Sequence, residues 1–275
     1  MTHANDELLE IARSTALAAA ELIHRKRAGG VAVAALKSSP VDVVTEADRE
    51  SEDLIRSLLA DARPGDGFLG EESGAGDAPT SGVTWVVDPI DGTVNYLYDI
   101  PDYAVSIAAV EGGADPETWT ALAGVVVNPV LGEVYTATRG GGALLRDTRG
   151  ERRLQVATGT QLASALVATG FSYTAERRER QASALTRLIP LIRDIRRFGS
   201  AALDLCAVAA GRVDAYYERG LHPWDHAAGA LIAAEAGAQV AGLGGAPAGS
   251  LMTIAAEPGL FAQLEPLLDE FGAAF

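Results

Sequence analysis

The sequence predicts a layered fold of α/β to α+β class, in which sheets are covered by helices. Three observations carry this. Strand-like runs come in consecutive blocks, and paired helical runs separate the blocks. Strict alternation of strand and helix is absent, which argues against a Rossmann-like sheet. The chain has 275 residues, 48% apolar and 21% charged, the balance of a folded protein with ample core. Neither a repeat nor a clear linker interrupts it. The reading is therefore one compact domain over 1–275, with lobes of approximately 1–150 and 151–275.

The elements follow in order. Leu8, Leu9, Ile11, Ala12, Ala16, Ala19, Leu22 and Ile23 recur at helical spacing, so 6–27 reads as a helix that Gly29 and Gly30 stop. Residues 31–44 read as extended and turn-rich, with a loop at Lys37-Ser38-Ser39-Pro40. Thr45 is an N-cap for a second helix, TEADRESEDLIRSLLADA, with Glu46 and Asp48 in its first turn. GFLGEES is a short strand, 74–82 a polar loop, and WVVDPI a strand cut off at Pro89. Segments 103–111, 121–127, 133–138 and 164–170 read as strands. An Arg-rich helix covers roughly 175–195, and an Ala-rich helix follows Gly199 over 200–210. DAYYE is a strand, PWDHAAGALIAAEAGA a helix, and the chain closes with a strand near 252–256 and a helix.

Composition narrows the function classes. A formal net charge of −15 repels polyanions, so nucleic acid is not an expected partner. Apolar runs fall well short of the roughly 20 residues a membrane helix needs. The acidic start, MTHANDELLE, reads as neither a secretory signal nor a transit peptide. A single cysteine, Cys206, permits no internal disulfide. The expectation is a soluble cytoplasmic protein. If such an acidic chain handles an anionic substrate, it needs local positive charge from metal ions or from clustered Arg and Lys.

Acids concentrate in three segments with apolar surroundings: Gly70-Glu71-Glu72-Ser73, Trp85-Val86-Val87-Asp88-Pro89-Ile90-Asp91-Gly92-Thr93, and Trp224-Asp225-His226. In the second, Val86 and Val87 favour a buried strand, Pro89 interrupts the ladder and Asp91-Gly92 turns the chain. The bend brings Asp88 and Asp91 to one place, and their carboxylates with the Ile90 carbonyl suit a hard, oxygen-binding cation. Gly92 leaves the backbone open to an anion, and Thr93 offers an N–H and a hydroxyl at a helix start. Two carboxylates about 4 Å apart repel by roughly 4 kcal/mol at an effective dielectric near 20. A cluster must therefore protonate or bind cations. Singly, each acid has a plainer reading. Asp91 is a turn residue, Asp88 a strand-end cap, Asp225 a first-turn helix acid, and Glu71 and Glu72 surface acids. Only their combination points to metal.

The strings GEES, WVVDPIDGT and WDHAAGALIAAEAG resemble the inositol monophosphatase family of lithium-sensitive, Mg²⁺-dependent phosphatases. The similarity extends to KSSPVDVVTEAD and GSAALDLCAVAAGRVDAYYE and runs over most of the chain. It implies a layered αβαβα sugar-phosphatase fold, a homodimer, and two or three Mg²⁺ per active site. Matched residue by residue, it implies that Glu71, Asp88 and the Ile90 carbonyl hold one metal, and that Asp88, Asp91 and Asp225 hold another. Thr93, paired with Asp48, would position the attacking water together with Glu71. The Gly92 and Thr93 amides would hold phosphate, and Lys37 would fall in a mobile loop beside the site. The implied chemistry is direct attack by a metal-activated water, without a phosphoenzyme. His222 and His226 are expected to be non-ligands, and Cys206 a core residue.

The resemblance leaves the substrate open. A small phosphorylated polyol or sugar is implied, and myo-inositol 1-phosphate is favoured by Gly199, Ser200 and Ala201 at a helix start together with Glu218, which resemble the groups that contact the inositol ring. For Glu218 the plainer reading is a strand-end surface acid. Histidinol phosphate is the alternative substrate. A regulatory protein with vestigial phosphatase activity is the alternative of another class. The chain departs from the family pattern at Pro223, commonly Cys, and at Val94, often Thr. Residues 176–197 carry seven arginines and three acids, either a solvated face, a dimer rim, or a device that draws phosphate in.

Overall fold

The computed structural model describes residues 2–31, 33–36, 43–76, 78–113 and 115–273. In chain order the elements are α1 (Thr2–Ala28), β1 (Val33–Leu36), β2 (Val43–Thr45), α2 (Glu46–Ala62), β3 (Gly67–Gly70), β4 (Gly74–Ala75), β5 (Val83–Asp91), α3 (Thr93–Tyr98), β6 (Ala104–Glu111), β7 (Thr120–Asn128) and β8 (Glu133–Thr138). There follow β9 (Gly142–Asp147), β10 (Gly150–Arg153), β11 (Leu166–Thr169), α4 (Ala175–Leu188), β12 (Asp194–Arg196), α5 (Ala201–Ala209), β13 (Ala215–Glu218), α6 (Pro223–Glu235), β14 (Gln239–Ala241), β15 (Thr253–Ala256) and α7 (Pro258–Glu270).

Eight strands form one sheet in the order β10-β9-β8-β7-β6-β5-β3-β4, and five form another in the order β12-β11-β13-β15-β14. Side chains alternate across the larger sheet, as the strand period of two requires. Trp85, Val87, Ile107 and Val125 pack against Ala12, Ala16, Ala19 and Ile55 of α1 and α2. Val86, Ala108 and Val126 face the opposite way, onto Ala228 and Ile232 of α6. The smaller sheet closes on the same middle layer through Ala168, Tyr216 and Ala255. Its outer face, with Val167, Ala215 and Ile254, is covered by Leu188, Leu260 and Leu264 of α4 and α7. The layers therefore run α1/α2, sheet, α5/α6, sheet, α4/α7. This is the layered fold the sequence predicts.

The middle layer is thin because its contact positions are small. A Cβ on Gly124 of β7 would sit 3.1 Å from the Ala228 Cα. One on Gly229 would meet the Leu205 Cβ at 2.9 Å and the Ala202 carbonyl oxygen at 3.1 Å. Strand β7 thus lies against the α6 backbone, and α6 lies against α5.

Some elements differ from the sequence reading. The first helix starts at Thr2, four residues earlier than periodicity suggests. The Arg-rich helix stops at Leu188, because Pro190 in the following 3₁₀ turn supplies no amide for another helical turn. Residues 194–196 instead form β12, parallel to β11. The hairpin β9–β10 was not expected from its sequence; its charged residues pair with one another, Asp147 with Arg149 and Arg152 at 2.8 and 2.9 Å. Cys206 is buried in α5, as its Ala-rich surroundings predict. Lys37 and the loop Ser38–Pro40 lie outside the described residues. Among the described residues no helix is long and apolar enough to cross a membrane.

The tight α5–α6 contact yields a test. Gly229→Val should destabilise the protein by about 1–3 kcal/mol through overpacking. The check is the urea midpoint, which should fall with the slope of the transition unchanged.

Candidate active site

Positions 88 and 91 are three apart, so in a regular strand they would face opposite sides. The pairing of β5 with β6 absorbs one extra residue: Asp88 opposes Ser106 and Asp91 opposes Ala104, with the register shifting between them. This bulge at Pro89-Ile90 restores both carboxylates to one side. The strand is therefore not cut off at Pro89, as the sequence suggested, but resumes at Asp91. The Ile90 amide donates to Asp88 Oδ1 at 3.0 Å across the bulge.

Glu71 stands in the turn after β3, and its amide donates to the Val87 carbonyl at 3.2 Å. The turn is held from α2. Buried Glu52 accepts from the Glu72 amide at 2.8 Å, and a Cβ on Gly70 would strike its carboxylate. Gly92 has φ +95°, and a Cβ there would lie 2.9 Å from the Asp102 carbonyl oxygen and 3.2 Å from that of Gly199. Only glycine fits that corner. Helix α3 then begins at Thr93, whose Oγ1 is 3.1 Å from both Asp48 Oδ1 and the Ile90 carbonyl oxygen. Asp48 is fully buried beneath Thr93 at the start of α2, and it accepts from the Thr45 amide at 2.8 Å.

From the second half of the chain, α5 delivers Ser200, Ala201 and Ala202. The Ser200 hydroxyl donates to Asp91 Oδ2 at 2.6 Å, and the Ala202 amide donates to the same oxygen at 2.7 Å. Ser200 is thus turned onto Asp91, whereas Gly199 and Ala201 line the cavity. Asn95 fastens this junction, donating to the carbonyls of Asp102 at 2.7 Å and Phe198 at 2.8 Å. Helix α6 delivers Asp225, whose Oδ2 accepts from the His222 amide at 2.7 Å. It is both a first-turn helix acid and a cavity residue. Pro223 starts α6, and its neighbours His222 and Trp224 line the cavity with rings stacked 5.0 Å apart.

These groups meet in one cavity of about 660 Å³, lined at its acidic end by Glu71, Asp88, Ile90, Asp91, Thr93 and Asp225. Burial, then the charges of Glu71, Asp91 and Asp225, hold the Asp88 carboxyl well above the ordinary range. Burial, then Asp91 and Glu71, do the same to Asp225. Asp91 rises only to about 6: burial pushes it up, and the Ser200 hydroxyl and Ala202 amide hold it back. Glu218, which also lines the cavity, accepts from the Tyr216 hydroxyl at 2.8 Å, with Gly170 leaving room for its carboxylate. Burial pushes Glu218 up to about 7, against the Tyr216 hydrogen bond and the charge of Arg197.

The donor set of the acidic end is all oxygen, four carboxylates and a carbonyl, which is the chemistry of a hard cation. The mutual upward push of the carboxylates shows that charge is wanting there, so the residues fit a divalent metal. Among the described residues no three acidic, His or Cys side chains already converge as a closed ligand group. His226 is buried and its ring is pushed down to about 4 by burial, so it is neutral.

Several contributors escaped sequence reasoning. Glu52 reads as an ordinary helix acid, and Asn95 as a short-helix polar residue. Arg197 is hidden in an Arg-rich run, and Gly170 ends a strand. The one available signal was Glu52, which sits at helical spacing from Asp48 on the apolar side of α2.

The chain is similar to known proteins over most of its length. The family model described as the inositol monophosphatase family matches residues 4–269. A Mycobacterium tuberculosis protein named inositol-1-monophosphatase SuhB is 50% identical over 262 residues, covering 92% of this chain and 87% of that protein. The solved structure of Mycobacterium tuberculosis SuhB superposes with a TM-score of 0.82 at 44% identity, covering 98% of both chains. A Pasteurella multocida protein named Nus factor SuhB is 42% identical over 206 residues, covering 74% of this chain and 73% of that protein.

The raised Glu218 carboxyl gives a pH test. In the unfolded chain Glu218 ionises near 4.5 and in the folded one near 7, so between these values the folded protein binds the extra proton. Its contribution to stability is full below pH 4.5 and is lost as pH rises through 7. Chemical unfolding of metal-free protein should show Glu218→Gln gaining about 1–3 kcal/mol relative to the parent between the two ends of that window.

Proposed function

This chain belongs to the inositol monophosphatase family, and we propose that it hydrolyses myo-inositol 1-phosphate to inositol and phosphate with Mg²⁺ as the required cation. The enzyme is a phosphoric monoester hydrolase. The observation that carries the finer reading is the bulge in β5, which turns Asp88 and Asp91 to one side, into the cavity that Glu71 and Asp225 also line.

Glu71, Asp88, the Ile90 carbonyl, Asp91 and Asp225 would hold two or three Mg²⁺. Bound there, such ions neutralise phosphate charge and lower the pKa of water. The chain's own groups do the rest. The Gly92 and Thr93 amides face a phosphate from the start of α3, with the left-handed Gly92 opening the approach. The Thr93 hydroxyl lies between Asp48 and the Ile90 carbonyl. It donates its single proton to one of them and turns its lone pairs to a water, which Glu71 also serves as an acceptor. Asp48 acts through Thr93, since it does not line the cavity. Gly199, Ala201 and Glu218 face the polyol. Ser200 contributes by fixing Asp91. The same reading takes the protein as a lithium-sensitive cytoplasmic homodimer.

A second reading rests on the relative named Nus factor SuhB: a regulatory protein that keeps phosphatase activity as a secondary or vestigial property. Mg²⁺-dependent phosphate release separates the two. The test is a panel of myo-inositol 1-phosphate, histidinol phosphate and sugar phosphates, with Mg²⁺ and with added Li⁺. Inositol 1-phosphate should be turned over fastest, and Li⁺ should inhibit. A faster histidinol phosphate reaction would replace the substrate and keep the chemistry. Asp91→Asn should lower kcat by at least about 10²-fold while the protein stays folded. A near-normal kcat would remove Asp91 from the metal site.

A further inference from the structure

The cavity draws on two distant parts of the chain that meet at one side-chain amide. In the proposed reaction the Gly92–Thr93 corner faces the phosphate, and Gly199 and Ala201 face the polyol. The span between these segments therefore bears on which esters fit. Gly92 is walled by two carbonyl oxygens: a Cβ there would stand 2.9 Å from that of Asp102 and 3.2 Å from that of Gly199. Asn95, in the first turn of α3, is 5% exposed. Its Nδ2 donates to the Asp102 carbonyl at 2.7 Å and to the Phe198 carbonyl at 2.8 Å. An amide NH₂ carries two hydrogens, and both are used, one on each segment. Gly199 follows Phe198 with φ +107°, and a Cβ on it would lie 2.8 Å from the Asn95 Nδ2 and would strike Arg197. The Phe198–Gly199 backbone is thus seated directly on the Asn95 side chain. Arg197, the residue before Phe198, carries the charge that acts on Glu218. The Ser200 and Ala202 contacts to Asp91 tie the same segment to β5, whereas Asn95 ties it to α3.

We infer that Asn95 is a positioning residue for substrate choice. By fixing Phe198-Gly199 against the phosphate corner it sets the span between phosphate and polyol contacts, and so favours esters whose hydroxyls reach Gly199, Ala201 and Glu218 over phosphate esters that carry no hydroxyl. The inference rests on the phosphatase reading for what occupies each segment. Asn95 itself is not part of the lining, so it acts through the backbone of its neighbours and touches no reacting atom. Its chemistry fits the task. Two carbonyls that face one point need a single atom with two hydrogens and a short reach. Asp has the same shape but would set an oxygen against both carbonyls, and Ala would leave both acceptors without this donor. A displacement of the order of 1 Å is enough to spoil oriented contacts to a substrate.

The experiment compares myo-inositol 1-phosphate with 4-nitrophenyl phosphate, an ester without hydroxyls, on the parent enzyme, N95A and N95S, all with Mg²⁺. In N95A, kcat/KM for inositol 1-phosphate should fall about tenfold or more beyond any loss on 4-nitrophenyl phosphate, and the excess should lie in KM. N95S keeps one O–H donor. It should lose less, and it carries the comparison if N95A does not fold. Equal losses on both esters, or none on either, would overturn the inference, because an amide that only supports the fold lowers both alike. If neither variant folds, Asn95 serves stability alone and the inference fails. If the parent turns over neither ester, the phosphatase reading fails instead. Calorimetric titration of the same proteins with myo-inositol 1-phosphate and with inorganic phosphate then decides, as it does where only one ester is turned over. Affinity for the polyol ester alone should drop in N95A. Parallel drops, or a parent that binds neither compound, would overturn the role of Asn95 as well.

Discussion

The repulsion among Glu71, Asp88, Asp91 and Asp225 is the constraint on which the rest of this structure depends. Four carboxylates at the end of one cavity, two of them on a buried strand end, are unfavourable unless something answers their charge. Part of the answer comes from helix starts. Asp91 rests on the Ser200 hydroxyl and the Ala202 amide of α5, and Asp225 on the His222 amide before α6. Beneath them Asp48 rests on the Thr45 amide before α2, and α3 begins beside them at Thr93. Each start carries the positive end of a peptide dipole and unpaired N–H groups. The remaining charge is left for cations. The contrast between Asp91, which two donors keep near 6, and Asp88, which burial and three acids drive well above the ordinary range, shows how far amides go and where they stop.

This convergence explains the layering. α2 comes from one outer layer, α5 and α6 from the middle, and all must reach the end of β5. The small residues of the middle layer make that possible. Gly124 and Gly229 bring α6 against β7 and α5, so that the α5 start can touch Asp91 while the α6 start faces the same cavity. Gly92 does locally what these do globally: a Cβ there would stand 2.9–3.4 Å from the Asp102 and Gly199 carbonyl oxygens and the Tyr103 Cα, so the close turn needs glycine. Packing and site geometry are therefore one problem here.

Much of this was legible in the sequence, and the exceptions have physical causes. β5 announced itself because all nine of its residues are buried, so both faces read as apolar. The acids were legible because acid density within apolar runs is costly and must serve something. The bulge was not. Pro89 and Asp91-Gly92 signal a bend, but only the pairing with β6 tells whether Asp88 and Asp91 end on one side. Helix α4 was drawn too long because its Arg-rich pattern continued through Pro190, and the pattern outweighed the missing amide. The β9–β10 hairpin was hard to read because β10, Gly-Glu-Arg-Arg at the sheet edge, carries no apolar alternation, and β9 buries only Ala143 and Leu145. Glu52 was missed for a related reason: a buried acid that caps a distant turn, at the Glu72 amide, looks in sequence like any helix acid.

The polarity of the cavity follows from the same electrostatics. A strongly acidic chain repels its own substrate class, and an acidic inner end alone would deepen that repulsion. Cations held by Glu71, Asp88, Asp91 and Asp225 would reverse the sign locally, with a field screened within about 10 Å at ordinary salt. Arg177 and Arg219 line the same cavity, positive against the net charge of the protein. Glu218, on the same lining, is raised to about 7 by burial and so carries only part of a negative charge at neutral pH. One lining thus carries guanidiniums, a carboxyl raised to about 7 and an acidic cluster whose charge cations would answer.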